Sequence, residues 1–342
     1  MEEYTGGQVL RLPSRFRCTR DIRTALPSPR SPLTSRVSST GAREERRFLQ
    51  TSRILRRLPV LEERLSVETV HARSCVGSRK GVDKKVNQDQ WFEGRWEQAR
   101  FVGVCDGHGS NGHLVSQLLA DSTPSLIRKR LSSLLPEAVL SAVYQDLSSL
   151  ISSSALDTRT SGSTCLTVLI TPTLLVCANV GDSRAVLGRC LHGTWSVHQL
   201  SWDHRPDSLS ETQRIVAAGG EVSVSKLLHS GPARVYLKNQ LLPGLSVSRT
   251  FGDDYAAGSG VISEPDVTTV QLTARDKFLV LGSDGLWEVL SSMEAVRLAG
   301  GLYRTQPELV CGRLIEEAQR RWSKKGSSMD DITVLFLVFS AG

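Results

Sequence analysis

The sequence predicts an α+β fold built largely on antiparallel sheet. Between Ser161 and Arg189 short apolar runs are joined by tight turns: Cys165–Thr171, Pro172-Thr173, Leu174–Asn179, Gly181-Asp182-Ser183-Arg184, then Ala185–Arg189. Runs that short, connected that tightly, pair antiparallel. Elsewhere apolar residues recur at helical spacing, most clearly Val139, Val143, Leu147 and Leu150 behind Pro136, a favoured first helical residue.

The remaining elements follow in chain order. Ser66–Arg73 is a candidate first strand, leading through Gly77 and Gly81 to Lys84-Lys85-Val86-Asn87-Gln88-Asp89. Phe101–Cys105 is a buried strand. His113–Arg130 has helical spacing interrupted at Pro124, and a second helix runs from Pro136 to Ile151. Ser208–Ala218 is a helix whose start carries two candidate capping boxes, Ser208 with Glu211 or Ser210 with Gln213, and which Gly219-Gly220 ends. Residues 221–264 are rich in turns and too long for a plain connection, which marks a functional flap. Strands at Val267–Leu272 and Lys277–Leu281, helices at Ser292–Ala299 and Pro307–Trp322, and a final strand from Ile332 close the chain. There is no internal repeat and no heptad pattern.

With 342 residues, 39% of them hydrophobic, the chain has room for one large domain and an appendage. Residues 1–65 hold 14 Arg and no Lys against 7 acids, a surplus equal to the whole chain's +7. Residues 66–342 are therefore neutral overall. The arm is expected to be disordered, apart from a short helix possible over Phe48–Leu65. It reads either as a solvated tail or as an address or basic arm. Glu2-Glu3 count against an organelle transit peptide, without excluding organelle targeting, and no apolar core of a secretory signal is present. Aromatics in the arm are limited to Tyr4, Phe16 and Phe48, so base stacking has little support and no nucleic acid partner is expected. Seven cysteines without a CxxC pair fit a reducing compartment, cytoplasmic or nuclear. No apolar run approaches the roughly 18 residues of a membrane span.

Four acids stand at strand boundaries far apart in sequence. Phe101–Cys105 runs into Asp106-Gly107-His108-Gly109, and Phe278–Leu281 leads through Gly282-Ser283 into Asp284-Gly285. Asp330-Asp331 precede Ile332–Phe339, and Asp89 precedes Trp91-Phe92. The first stretch presents an acid, a bare carbonyl and a histidine at a strand end, which suits Mg²⁺ or Mn²⁺; an Asp-Gly hairpin turn is the alternative reading. Bringing such acids together raises a repulsion of roughly 4 kcal/mol per pair at 4 Å, which divalent cations relieve.

Nine ordered blocks then carry a resemblance: NQD at 87–89, DGHG at 106–109, SGST at 161–164, VGDSR at 180–184, DHRPD at 203–207, AAGGEV at 217–222, PGLSVSRTFGD at 243–253, GSDGLWEVL at 282–290 and DDIT at 330–333. Over roughly residues 66–340 the chain resembles the metal-dependent protein phosphatase 2C family, its plant and protist branches above all. The resemblance implies a four-layer α-β-β-α sandwich, two antiparallel sheets flanked by helices, with residues 66–342 as the catalytic domain. It implies hydrolysis of phosphoserine and phosphothreonine in proteins by a metal-activated water between two Mg²⁺ or Mn²⁺ ions. By position, Asp106 bridges the ions, the Gly107 carbonyl binds one, and Asp284 and Asp330 bind on the other side. Asp89 helps hold the site, Asp182 with Glu288 matches a weaker third metal position, and His108 matches the general acid. Lys84, with Lys85 adjacent, stands where relatives place a phosphate-binding cation, and either lysine could instead be a solvated charge. No cysteine is needed as a nucleophile, and Cys105 and Cys177 lack a CxxxxxR loop.

Two departures stand out. Gln88 replaces a glutamate found in many relatives, removing one charge near the metals. Lysine at 84 offers a point charge where some relatives have the arginine fork. Thr164 is expected to pack beside the site, Arg184 and Asp203 to orient loops, and Arg249 to anchor the flap. The competing reading is a pseudophosphatase that binds without turnover, against which Asp106, Asp284 and Asp330 are all present. Partners are expected to be phosphorylated proteins, and the default state is a monomer.

Overall fold

The computed structural model describes residues 64–79, 82–84, 86–225, 231–326 and 328–341. The arm up to residue 63, with its possible helix, and Lys85 lie outside the described residues.

Two antiparallel sheets stack face to face. The first holds β1 (Leu65–Cys75) at one edge. The second holds β2 (Asp89–Trp96) and β3 (Ala99–His108), a long hairpin. Two helices follow, α1 (Gly112–Leu131) and α2 (Pro136–Ser153), then β4 (Cys165–Ile170) and β5 (Leu174–Val180) of the second sheet. The chain crosses to the first sheet with β6 (Arg184–Leu191) and β7 (Thr194–Gln199), and enters α3 (Leu209–Ala217). Strands β8 (Gly220–Val224), β9 (Ala233–Leu237) and β10 (Pro243–Leu245) make a small sheet of their own. The first part of the expected flap, where it is described, is thus a three-stranded unit. Strand β11 (Asp266–Gln271) returns to the second sheet, and β12 (Asp276–Gly282) to the first. Helices α4 (Ser292–Leu302) and α5 (Val310–Lys325) precede β13 (Ile332–Ala341).

The first sheet has the order β1-β13-β12-β6-β7; the second runs β2-β3-β4-β5-β11. Gly162–Ser163 pairs the last two residues of β3, and Phe251–Gly252 pairs Gly162–Ser163 in turn.

Period-two alternation builds three apolar layers. Phe101 and Cys105 face α1 and α2, while Val102 and Val104 face the other sheet. In β12 and β13, Phe278, Val280, Val334 and Phe336 face α4 and α5, while Leu279, Leu281, Leu335 and Leu337 fill the space between the sheets. The expected α-β-β-α sandwich is the architecture observed. Emptying a ring site such as Phe336, fully buried, would destabilise by about 3–5 kcal/mol.

Two local expectations are corrected. Pro124 does not interrupt its helix; α1 runs through it. Proline removes one N–H, and Thr123 Oγ1 donates to the Leu119 carbonyl at 2.6 Å on the buried face beside it. Ser208 is the N-cap of α3, but its side chain makes no cap bond. Glu211, the residue that would close the box, is instead held by Arg214 and Arg249. The capping box forms at Ser291 and Glu294, at the start of α4.

Candidate active site

The acids lie at one end of the sandwich because the strands that carry them end there. Asp89 opens β2 and pairs directly with Asp106 near the end of β3. Asp182 follows β5 and Asp284 follows β12. Asp330 and Asp331 immediately precede β13. A cavity of about 240 Å³ at this end is lined by Asp106, Gly107, His108, Asp182, Asp284 and Asp330, with Lys84 among its other walls.

Glycine is required where the backbone comes closest. A Cβ on Gly107 would lie 2.3 Å from the Gly112 carbonyl oxygen. Gly109 has φ +81°, and a Cβ there would meet the Thr160 carbonyl oxygen at 2.2 Å. These glycines let DGHG fold back so that a carbonyl, a carboxylate and an imidazole share one cavity.

The carboxylates are crowded. Burial, then the charges of Asp89, Asp284, Asp330 and Asp182, push Asp106 well above the usual carboxylate range. Burial, then Asp182, Asp330, Glu288 and Asp89, do the same to Asp284. Asp89 is pushed up to about 7, chiefly by burial, with the Ser283 hydroxyl opposing and Asp331 and Asp330 adding. Asp182 also rises to about 7, from burial and then Asp203, against the opposing charge of Arg205. Ser283 Oγ donates to Asp89 Oδ2 at 2.7 Å. Asp89 Oδ1 and Asp284 Oδ1 are buried without a hydrogen-bond partner among the described residues.

Such oxygens fit hard divalent cations. Two buried carboxylate oxygens lack a donor, neighbouring charges repel, and the donors are carboxylates and carbonyls. Among the described residues no three His, Cys, Asp or Glu side chains stand in a ready-made coordinating group. Lys84 Nζ meets Asp330 Oδ1 at 2.5 Å.

Neighbouring residues fix this arrangement. Asp331 is not among the lining residues; it accepts from the backbone N–H of Gly77 and Gln88 at 2.6 and 3.0 Å, tying the β1–β2 connection to β13. Thr164 packs beside the site as expected: its Oγ1 accepts from Asp106 N at 3.0 Å, and its N–H donates to the Asp106 carbonyl. Arg184 and Asp203 form a two-pronged pair at 2.9 and 2.6 Å. Arg249 joins Glu211, Asp266 and the Glu264 carbonyl, anchoring the flap's base.

A profile described as "Protein phosphatase 2C" matches residues 69–326. The chain belongs to the protein phosphatase 2C family. The Arabidopsis thaliana "Probable protein phosphatase 2C 72" is 34% identical over 286 residues, covering 78% of this chain and 86% of that protein. The rice "Probable protein phosphatase 2C 48" is 34% identical over 299 residues, covering 78% and 83%. Among solved structures, the Toxoplasma gondii serine-threonine phosphatase 2C superposes with a TM-score of 0.67 at 22% identity, covering 81% of this chain and 97% of that one. A Caenorhabditis elegans sex determining protein gives 0.66 at 21% identity, covering 86% and 71%. At these identities the structures speak to the fold alone. The plant-like character read in the sequence is matched by the plant relatives.

Within this protein phosphatase 2C chain, seven of the ten residues singled out in the sequence line one cavity. Asp89 is buried behind it, paired to Asp106. Glu288 is not among the lining residues; its carboxylate accepts from Lys325 Nζ at 2.9 Å. Lys85 is outside the described residues. Gln88 donates through Nε2 to the Gly109 carbonyl at 2.8 Å, so the amide serves as a clasp on the DGHG turn. Asp253 and Arg234 are among the residues at the site that were assigned no role from the sequence. Asp253, in the SRTFGD block, meets His108, and Arg234, from the flap, lines the cavity. A shared block signals that a residue matters but does not say what it touches.

His108 and Asp253 lie 2.5 Å apart, Nε2 to Oδ2. Burial works against the charged imidazole, yet the hydrogen bond and charge of Asp253, then the charge of Asp182, raise its basicity above the ordinary histidine value. Among the described residues no helix is long and apolar enough to cross a membrane.

Proposed function

We propose that this serine/threonine protein phosphatase hydrolyses phosphoserine and phosphothreonine in proteins with two Mg²⁺ or Mn²⁺ ions, and that residues 66–342 are its catalytic domain. Asp106, the Gly107 carbonyl, Asp284 and Asp330 would hold the ions, with Asp89 behind them. Asp182 is the nearest candidate for a weaker third. The observation that carries this reading is the convergence of Asp106, Asp182, Asp284 and Asp330 with His108 on one cavity. When bound, the ions supply charge neutralisation and a lowered pKa for water.

The chain's own residues do the rest. Burial, then the neighbouring carboxylates, raise Asp106 and Asp284, and a divalent cation would offset both costs by neutralising their charge. Lys84 pairs with Asp330 and approaches Asp331 at 3.4 Å. The charges of those two acids outweigh its burial and keep it protonated. A phosphoryl dianion entering the cavity would find that ammonium beside the acids. The protonated ring of His108 would give its proton to the leaving serine or threonine oxygen as the P–O bond breaks, a step worth roughly 10²–10⁴-fold. No covalent intermediate is required.

The test is hydrolysis of a phosphothreonine peptide by the full chain, with Mn²⁺ or with chelator, beside Asp106→Asn. Phosphate release that needs Mn²⁺ and falls at least about 10³-fold in the variant supports the reading. No release from folded protein at millimolar Mn²⁺ would instead establish the pseudophosphatase.

A further inference from the structure

We propose that Asp253 is a positioning residue for the hydrolytic step: its carboxylate holds Nε2 of His108, leaving Nδ1 as the nitrogen that meets the leaving oxygen. The inference rests on His108 being the general acid.

Three features of the fold carry it. Asp253 is 2% exposed, yet its carboxylate reaches the ring at the cavity wall, Oδ2 lying 2.5 Å from Nε2. No other hydrogen bond to the ring involves a described residue, so Nδ1 is the free nitrogen on that side. The backbone is bent to make the contact. Asp253 has φ +52°, a left-handed conformation that side chains other than Gly, Asn and Asp rarely adopt. It is pinned by Asp253 N donating to the Ser161 carbonyl at 3.0 Å, and by Ala256 N donating to the Asp253 carbonyl at 2.7 Å. Finally, the partner strand is cleared for the carboxylate. Gly162 pairs with His108 across the sheet, and a Cβ on Gly162 would stand 2.1 Å from Asp253 Oδ2.

A ring bound in this way has one orientation and one tautomer. Nε2–H points at Asp253, and the transferable proton sits on Nδ1. As the P–O bond breaks, its electron pair goes to the serine or threonine oxygen, which takes the Nδ1 proton. The imidazole is left neutral with Nε2–H still on Asp253. Without the tether, the ring turns freely and presents either nitrogen. Asp253 lies within the 221–264 flap, which thereby carries part of the acid machinery.

The test compares leaving groups on the full chain with Mn²⁺. A phosphothreonine peptide needs a proton on its leaving oxygen, whereas 4-nitrophenyl phosphate does not. Asp253→Asn and Asp253→Gly both suit the left-handed backbone, the first keeping an acceptor and the second keeping none. Each should lower kcat on the peptide, the glycine variant on the order of 10²-fold. That loss should exceed the loss on 4-nitrophenyl phosphate by roughly ten-fold or more, with the peptide KM little moved. His108→Ala should show the same selective pattern. Equal losses on both substrates in the Asp253 variants, or none, beside a selective loss in His108→Ala, would overturn the tether while leaving the general acid intact. Equal losses in His108→Ala would overturn the acid assignment and the tether together.

Discussion

Asp89 and Asp106 face each other across the β2–β3 ladder at the end away from its turn, and burial pushes both upward. Strand pairing thus forces two like charges into register, against the usual rule that like charges opposite one another destabilise a sheet. On the proposed reading, bound cations would offset that repulsion.

The consequence for stability has a definite sign. Asp89 and Asp182 stand at about 7 in the folded chain, above the unfolded carboxylate value of roughly 3.9. A raised folded value favours the protonated form, so the stability it contributes is present at low pH and lost as pH rises through 7. The lowered acids, Glu294 and Glu317 at about 2, have already ionised across that window. In chelator, the thermal midpoint should fall by roughly 5–10 °C from pH 5 to pH 8. Added Mn²⁺ should remove most of the fall, and Asp106→Asn should reduce it without metal. Differential scanning calorimetry at the two pH values checks both.

Gln88 offers a second test. Restoring a carboxylate with Gln88→Glu adds negative charge beside the acids and removes the amide donor to the Gly109 carbonyl. Mn²⁺ affinity should rise several-fold while the metal-free chain loses about 1 kcal/mol. Titration and urea unfolding of the same variant read the two effects separately.

Glu211 should be the most sensitive charge away from the cavity. Its carboxylate is 3% exposed and meets Arg214 at 2.7 Å, Arg249 at 2.8 Å and Ser248 Oγ at 2.6 Å. Burial opposes its charge, but the two arginines hold it well below the carboxylate range. Glu211→Ala would leave two arginines facing each other and should destabilise by about 3–5 kcal/mol. Urea denaturation measures the loss, and a rise in peptide KM would follow if the flap loosens with Arg249.

Much of this was legible in the sequence, for reasons that particular residues make plain. Asp106, Asp284 and Asp330 were readable because each borders an apolar run, the first two after it and Asp330 before it, and a strand end is where a sheet can present a side chain. The four-layer arrangement was not readable from pattern alone. Phe278 to Leu281 and Val334 to Phe339 are buried on both faces, which erases the apolar–polar alternation that marks a sheet face; the resemblance supplied the layers. Contacts between distant segments were the least legible. Spacing could not tell that Glu211 would leave its cap for Arg249, that Glu288 would pair with Lys325, or that Asp253 would reach back across 145 positions to His108. Each is settled by tertiary packing, after the local elements have formed.

The most direct test of the central claim, that these strand-end acids form a divalent cation site, is calorimetric titration of Mn²⁺ into the metal-free full chain beside Asp106→Asn and Asp284→Asn. The account predicts about two ions bound by the unaltered chain and binding weakened at least about ten-fold in each variant. Equal binding by all three proteins, or none by the unaltered chain while folded, would contradict it.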